Sequence, residues 1–499
     1  MSIFESITFG LGVALTPTNI LFAFLGCLVG TLVGVLPGLG PVATLAMLLP
    51  ITYYLEPTTA LIMLAGIYYG AQYGGSTTAI LVNLPGESSS VVTALDGYQM
   101  AKKGRAGAAL SVAAIGSFIA GVFATFMIAL FAPPLANVAR LFGPEDYFSM
   151  MVLGLVAAIS LSSGSLLRSL GMVFLGLALG FVGTDMNSGD TRFTFGLLSL
   201  ADGIDFVPLA LGLFGVSEII SNLMGPQEER KAVAAITSLY PSREELRASA
   251  LPVVRGTLLG SVLGIIPGGG ALLSSFTSYA LEKKLSKQPE RFGKGAIEGV
   301  AGPESANNAG AQTSFIPMLT LGIPSNPVLA ILIGTMMIHG IQPGPNVMNE
   351  RPELFWGLIG SMWIGNLMLI VINLPMIGIW VKILQVPYRY LMPSILLFCC
   401  IGVYSINNSY FDVFLAAFFG VVGYALNRLR CEPAPLILAF VLGPMMEEYL
   451  RRALILSRGS PSTFFASPIS ASLLTVAAIL LAAVFLPAFK HRRKVIFEE

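Results

Sequence analysis

The sequence predicts an all-α polytopic membrane protein built as an inverted-topology repeat, with two re-entrant hairpins and about 11 transmembrane helices. Three observations carry that expectation. Hydrophobic types make up 55% of the 499 residues and charged types only 11%, where a soluble domain carries about 25% charged residues. Lys and Arg fall in clusters between long apolar stretches. Gly (54) and Pro (31) reach 85 residues together, about 17% of the chain, against roughly 12% in average usage. Inside a bilayer such helix breakers are tolerated only where the backbone is buried in protein or lines a cavity. A net charge of +1 with no basic domain excludes disorder and nucleic-acid binding.

The first 101 residues hold no Lys or Arg. Basic clusters then occur at Lys102, Lys103 and Arg105; at Arg230, Lys231, Arg243 and Arg247; at Lys283, Lys284, Lys287, Arg291 and Lys294; at Arg428 and Arg430; and at Lys490, Arg492, Arg493 and Lys494. The positive-inside rule places these on the cytoplasmic side. Apolar spans read at about 58–83, 107–131, 146–164, 169–184, 206–224, 307–323, 354–380, 391–405, 411–427, 434–449 and 464–488. This puts the N-terminus outside and the C-terminus inside. Arg451, Arg452 and Arg458 conflict with it, since they fall outside. The N-terminus has no basic n-region, so no cleaved signal peptide is expected. Cys27, Cys399, Cys400 and Cys431 form no CxxC pair and read as packing residues.

The segment 251–282 is flanked by basic residues on both sides and is too short for two crossings. With Pro267-Gly268-Gly269-Gly270 at its centre, it reads as a re-entrant hairpin. An earlier copy exists. LVGTLVGVLPGLG (28–40) aligns with LLGSVLGIIPGGG (258–270), so Gly30, Gly34, Pro37, Gly38 and Gly40 match Gly260, Gly264, Pro267, Gly268 and Gly270 at an offset of 230. Asn83 to Glu87 resembles Gly322 to Asn326, and Leu95 to Gly107 resembles Leu332 to Gly344. The second of these paired segments is basic only in its first copy, so the halves face opposite ways, as in secondary transporters. The expected organisation is a first repeat over 1–225 with a hairpin at about 19–55, and a charged cytoplasmic linker at 226–250. A second repeat follows over 251–450 with its hairpin at 251–282, then a final transmembrane helix and basic tail at 451–499.

GxxxG spacing at Gly30/Gly34 and Gly260/Gly264 suits close helix packing. Pro-Gly-x-Gly does not suit a helix, and reads as a tip near the midplane. Helices starting at Pro41 and Ala271 would aim positive dipole ends at an anion. The expected substrate-binding residues are therefore Pro37, Gly38, Gly40, Pro41, Thr44, Ser76, Thr77 and Asn83 in the first half. In the second they are Gly268, Gly269, Gly270, Ser274, Ser275, Asn307, Asn308, Ser325 and Asn326. Glu87 and Glu304 adjoin the breaks and are the candidate cation or proton sites. No cofactor is expected beyond a bound Na⁺. Asp96 reads as structural, Asp185, Asp190, Asp202 and Asp205 as a solvated external loop, and His339 as interfacial. Glu218 and Asp412 are weaker intramembrane candidates. No Lys or Arg lies in either tip or polar cluster, which points to an anion bound through dipoles, hydroxyls and a co-bound cation.

The pairing of GTLVGVLPGLGP with GSVLGIIPGGG, the stretch YYGAQYGGSTTAILVNLPGE, and DGYQMAKKGRAG resemble the large membrane subunit (TctA-like permease) of the tripartite tricarboxylate transporter family. The resemblance covers nearly the whole chain. It implies a small membrane subunit with about four helices and a periplasmic solute-binding protein as partners. It also implies import of citrate-like tricarboxylates or other organic acids, driven by an ion gradient, by alternating access of an elevator or rocking kind. The sequence agrees in lacking a P-loop. It departs in having Ala271 where the first copy has Pro41.

The other readings are a passive anion channel and an intramembrane enzyme. No HExxH occurs, His339 and His491 are the two histidines, and no pair of aspartates sits in spans. A protease or haem protein therefore lacks its chemistry, and a channel stays open.

Overall fold

The computed structural model describes residues 2–36, 40–84, 86–161, 165–185, 188–224, 240–266, 270–383 and 388–485. Among these the backbone is almost all helix, with one short strand pair, Gly183–Thr184 against Thr191–Arg192. Among the described residues, five helices are long and apolar enough to cross a membrane: Pro17–Gly34, Ala106–Ala139, Phe206–Met224, Pro352–Asn373 and Tyr410–Arg428. Helices also occupy the other expected spans, among them Pro57–Val82, Pro144–Leu161, Leu166–Gly180 and Ala434–Leu456. The first of the five, Pro17–Gly34, belongs to the segment read as a hairpin.

Two helices form the centre, and they are among the more polar ones. Pro57–Val82 is buried from Thr59 to Val82. Glu298–Thr313 is buried from Gly299 to Thr313. Each is flanked by a helix pair. Pro17–Gly34 and Pro41–Thr52 flank the first, and Arg243–Leu263 and Gly270–Leu285 flank the second. Pro37, Gly38, Gly268 and Gly269, between the helices of each pair, lie outside the described residues.

Glycines set the flanking contacts. A Cβ on Gly26, Gly30 or Gly34 would come within 3.0 Å of the carbonyl oxygens of Met63, Ile67 and Ala71. A Cβ on Gly256, Gly260 or Gly264 would meet those of Gly302, Ala306 and Gly310 equally closely. Three glycines four residues apart thus lay one helix face onto a row of carbonyls, in both halves. This is the close approach that small-xxx-small spacing allows.

Helix ends repeat as well. Helix 57–82 stops at Asn83 (φ 57°), and Phe315–Leu321 stops at Gly322 (φ 71°). Both are left-handed C-caps, 239 positions apart as the sequence pairing gave. The helices that follow, Val91–Lys102 and Pro327–Ile338, end before Gly104 (φ 76°) and Gly340 (φ 68°). Those glycines are 236 apart, whereas aligning Leu95 with Leu332 gives 237. The left-handed glycines set the register, and the sequence pairing slips by one residue.

Other expectations change. The span read at 307–323 begins at Glu298 and breaks at Ser314. Pro317 has no N–H to donate to the Thr313 carbonyl, which ends the first helix. Of the linker, residues 226–239 lie outside the described residues. Its end is already helix: Ser242 and Glu245 form a capping box that starts Arg243–Leu263. Glu245 also pairs with Arg105 at 2.6 Å. The tail beyond Phe485 lies outside the described residues.

Asp185 is not solvated. It is 7% exposed and pairs with Arg451 at 2.6 Å and Arg192 at 3.7 Å. Arg192 and Arg451 both reach Glu447 as well. The polar loop is therefore tied to the end of Ala434–Leu456. Arg451, which conflicted with the topology, sits on the same side as that loop.

Candidate functional site

The two glutamates singled out beside the breaks each reach into the opposite half. Glu304, on helix 298–313, is 1% exposed. Ser76 Oγ lies 2.9 and 2.8 Å from its two carboxyl oxygens. Thr93 Oγ1 donates to the same carboxylate. Glu87 follows the break after helix 57–82. Its carboxylate accepts from Ser89 Oγ at 2.5 Å and from Asn307 Nδ2 at 3.2 Å. Asn307 stands one turn from Glu304 on the same helix. Among the described residues neither acid has a Lys or Arg partner. A carboxylate taken out of water needs donors or a cation, and here the donors are hydroxyls and an amide.

The hairpins deliver their second helices to these breaks. Gly40 is the N-cap of Pro41–Thr52, with Pro41 at the first helical position, where its missing N–H costs nothing. A Cβ on Gly40 would lie 3.6 Å from Gly86 O. Gly270 opens helix 270–285 at φ 36°, and its Cβ direction points 3.6 Å from Asn326 Nδ2. The second helix of each hairpin thus begins against the break in its own half. Thr44 Oγ1 donates to Gly40 O at 2.9 Å, and Ser274 Oγ to Gly270 O at 2.7 Å. These two hydroxyls satisfy their own helices.

The remaining expected residues divide. Ser275 Oγ donates to Ser89 O at 2.8 Å, joining the second hairpin to the first break. Thr77 Oγ1 donates back to Tyr73 O. Asn308 Nδ2 donates to Ser117 Oγ at 2.7 Å. Ser325 Oγ donates to Ser314 O at 3.1 Å. Asn326 Oδ1 caps helix 327–338 through Leu329 N, and Asn83 is a C-cap. Pro37, Gly38, Gly268 and Gly269 lie outside the described residues, so the tips themselves are not part of this geometry. The oxygens Asn307 Oδ1 and Asn308 Oδ1 are buried without a partner among the described residues, as are Gln72 Oε1 and Nε2.

Beside Glu304 lies a cavity of about 20 Å³, whose polar lining includes Tyr73, Ser76, Thr77, Ser117 and Asn373. Thr93 and Asn373 were not expected from the sequence. Thr93 lies in a basic amphipathic segment with no break of its own. Asn373 ends helix 352–373, inside the span read at 354–380. Asp96 is structural as read: its Oδ1 accepts from Gly295 N and Ala296 N, and Oδ2 from Tyr279 OH. Asp412 sits in the first turn of helix 410–428, bonded to Asn407, and Glu218 accepts from Asn222.

Residues 20–438 match the family described as Tripartite tricarboxylate transporter TctA family. The chain belongs to that family. A protein of Agrobacterium vitis, described as an uncharacterized 52.8 kDa protein in the TAR-I ttuC′ 3′ region, is 58% identical over 499 residues, covering 100% of this chain and 99% of that one. A second from the same organism, described as an uncharacterized protein in the TAR-II ttuC′ 3′ region, is 58% identical over 240 residues, 48% of this chain and 99% of that one. No solved structure matches. Membership of the TctA family makes the chain a component of a membrane transporter that works with partner subunits, not an enzyme.

Proposed function

We propose that the chain is the permease subunit of a binding-protein-dependent secondary transporter. It imports tricarboxylates or related organic acids, citrate among them, by symport with a cation, Na⁺ or H⁺, and by alternating access. Its partners are a small membrane subunit with about four helices and a periplasmic solute-binding protein. It sits in the bacterial inner membrane with its N-terminus periplasmic and its C-terminus cytoplasmic.

The observation that carries this reading is the crossed pair of glutamates. Glu304 of the second half rests on Ser76 and Thr93 of the first, and Glu87 of the first on Asn307 of the second. A bound cation would offset the buried charge, and its loss would free the two halves to move. The matched glycine rows and matched left-handed helix ends support an inverted repeat as the moving frame. The second helices of the hairpins, which begin at Gly40 and Gly270 against the breaks, supply helix N-termini for an anion. The test is uptake by vesicles holding both membrane subunits, with the binding protein outside, screened against di- and tricarboxylates under imposed Na⁺ or proton gradients. Saturable, gradient-driven uptake is expected. Flux indifferent to both gradients would make the protein a channel instead.

A further inference from the structure

We propose that the cavity beside Glu304 is a binding site for one Na⁺ ion, with Asn373 Oδ1 as a ligand together with Glu304, Ser76 and Thr77. The inference deepens the symport reading and rests on it for the ion's role in transport. The site itself rests on geometry.

The cavity offers about 20 Å³, where a water-sized particle needs roughly 10–15 Å³. Its remaining lining is aliphatic, with Ile80, Leu110 and Ile377 among it, so charge inside it is poorly screened. The deciding atom is Asn373 Oδ1. Asn373 is 4% exposed, and its Nδ2 donates to Leu369 O at 2.9 Å. That bond orients the amide and leaves Oδ1 buried with no partner among the described residues. An unsatisfied buried acceptor costs about 1–3 kcal/mol, which a ligand at this spot would remove.

The chemistry selects the ligand. The cavity is lined by Glu304, whose carboxyl is buried, and by Asn373, whose amide oxygen is buried without a partner among the described residues. Thr77 Oγ1 has committed its proton to Tyr73 O at 3.1 Å, so it turns lone pairs, not a donor, to any further partner. Tyr73 OH is also buried without a partner among the described residues and can accept as well as donate. An anion would face acceptors here. A single carboxylate among neutral oxygens balances a monovalent charge, and no group of three or more acidic, His or Cys side chains for a multivalent metal occurs among the described residues. Neutral oxygens and a carboxylate are the donors that hard cations take. The ion would join helices 57–82, 298–313 and 352–373, so its departure would loosen three elements together.

The test uses the purified full-length protein in detergent without organic acid. Radioactive sodium binding is measured by scintillation proximity, and the unfolding temperature is compared in sodium and choline chloride. The wild type is expected to bind Na⁺ saturably and to be stabilised by it. Asn373→Ala is expected to weaken binding by about tenfold or more, and Glu304→Gln to abolish it. If Asn373→Ala does not fold, Asn373→Asp keeps an acceptor there and is expected to bind at least as tightly as the wild type. No saturable binding by the wild type would mean that the cavity holds water, and would overturn the proposal. Wild-type affinity in Asn373→Ala, or loss of binding in a folded Asn373→Asp, would overturn it too. Proton-driven uptake without Na⁺ binding would remove this site and leave the transport reading intact. Na⁺ binding without gradient-driven uptake would do the reverse.

Discussion

Ser76 and Glu304, 228 positions apart in the chain, meet at 2.8 Å where the two halves of the protein touch. The acid belongs to the buried helix 298–313 and the hydroxyl to the buried helix 57–82. Hydrogen bonds to a charged group contribute about 1.5–3 kcal/mol. Ser76→Ala should therefore raise the cation concentration for half-maximal uptake by about tenfold or more. Thr93→Val, which keeps the shape and removes the other hydroxyl, should act in the same direction. Uptake titrated against the coupling ion measures both, and an unchanged midpoint in both would detach these hydroxyls from the ion.

The glycine rows give a stability prediction. Gly30→Ala and Gly260→Ala each press a methyl against a backbone carbonyl, of Ile67 and Ala306 respectively. Overpacking of this kind costs about 1–3 kcal/mol. Gly171→Ala meets open space and should be neutral or mildly stabilising, since Ala is the better helix former. Thermal unfolding in detergent should lower the midpoint for the first two and spare the third.

Asp96 fastens helix 91–102 to residues 279, 295 and 296 through three hydrogen bonds. Asp96→Ala leaves two backbone N–H groups without their acceptor, at a cost of about 1–3 kcal/mol each when buried. The expected outcome is a lower unfolding temperature and faster proteolysis in the 286–297 segment. Protection equal to wild type would show that the loop is held by other contacts.

The Asp185–Arg451 pair fixes a side. With Leu198 89% exposed on the loop that Asp185 begins, and Ser457 six residues beyond Arg451 at the end of the same helix, cysteines at these positions should share an aqueous face. In a cysteine-free background, Leu198→Cys and Ser457→Cys should both react with a membrane-impermeant maleimide in intact spheroplasts. Labelling of one alone would break the topology.

Much of the framework was legible in the sequence because its signals are local. Gly30/Gly34 and Gly260/Gly264 lie on one helix face each, and their small size can mean close packing only. The 239-position match of Asn83 with Gly322 survives because a left-handed helix end accepts few residue types. What failed to show was contact at long range. Asp185 reads as solvated because Arg451 stands 266 positions away. Thr93 gives no sign of Glu304, since a lone threonine on a helix usually bonds its own backbone. The break at Ser314 was hidden because an apolar run containing Pro317 still reads as one span.

We propose that a cation gradient drives uptake through Glu304. The most direct measurement compares wild type and Glu304→Gln in vesicles with both membrane subunits and external binding protein, under an imposed Na⁺ or proton gradient. The wild type is predicted to accumulate the organic acid above its external concentration, and Glu304→Gln to stop at or below equilibration while still folding. Accumulation by Glu304→Gln equal to that of the wild type would rule out cation coupling through Glu304.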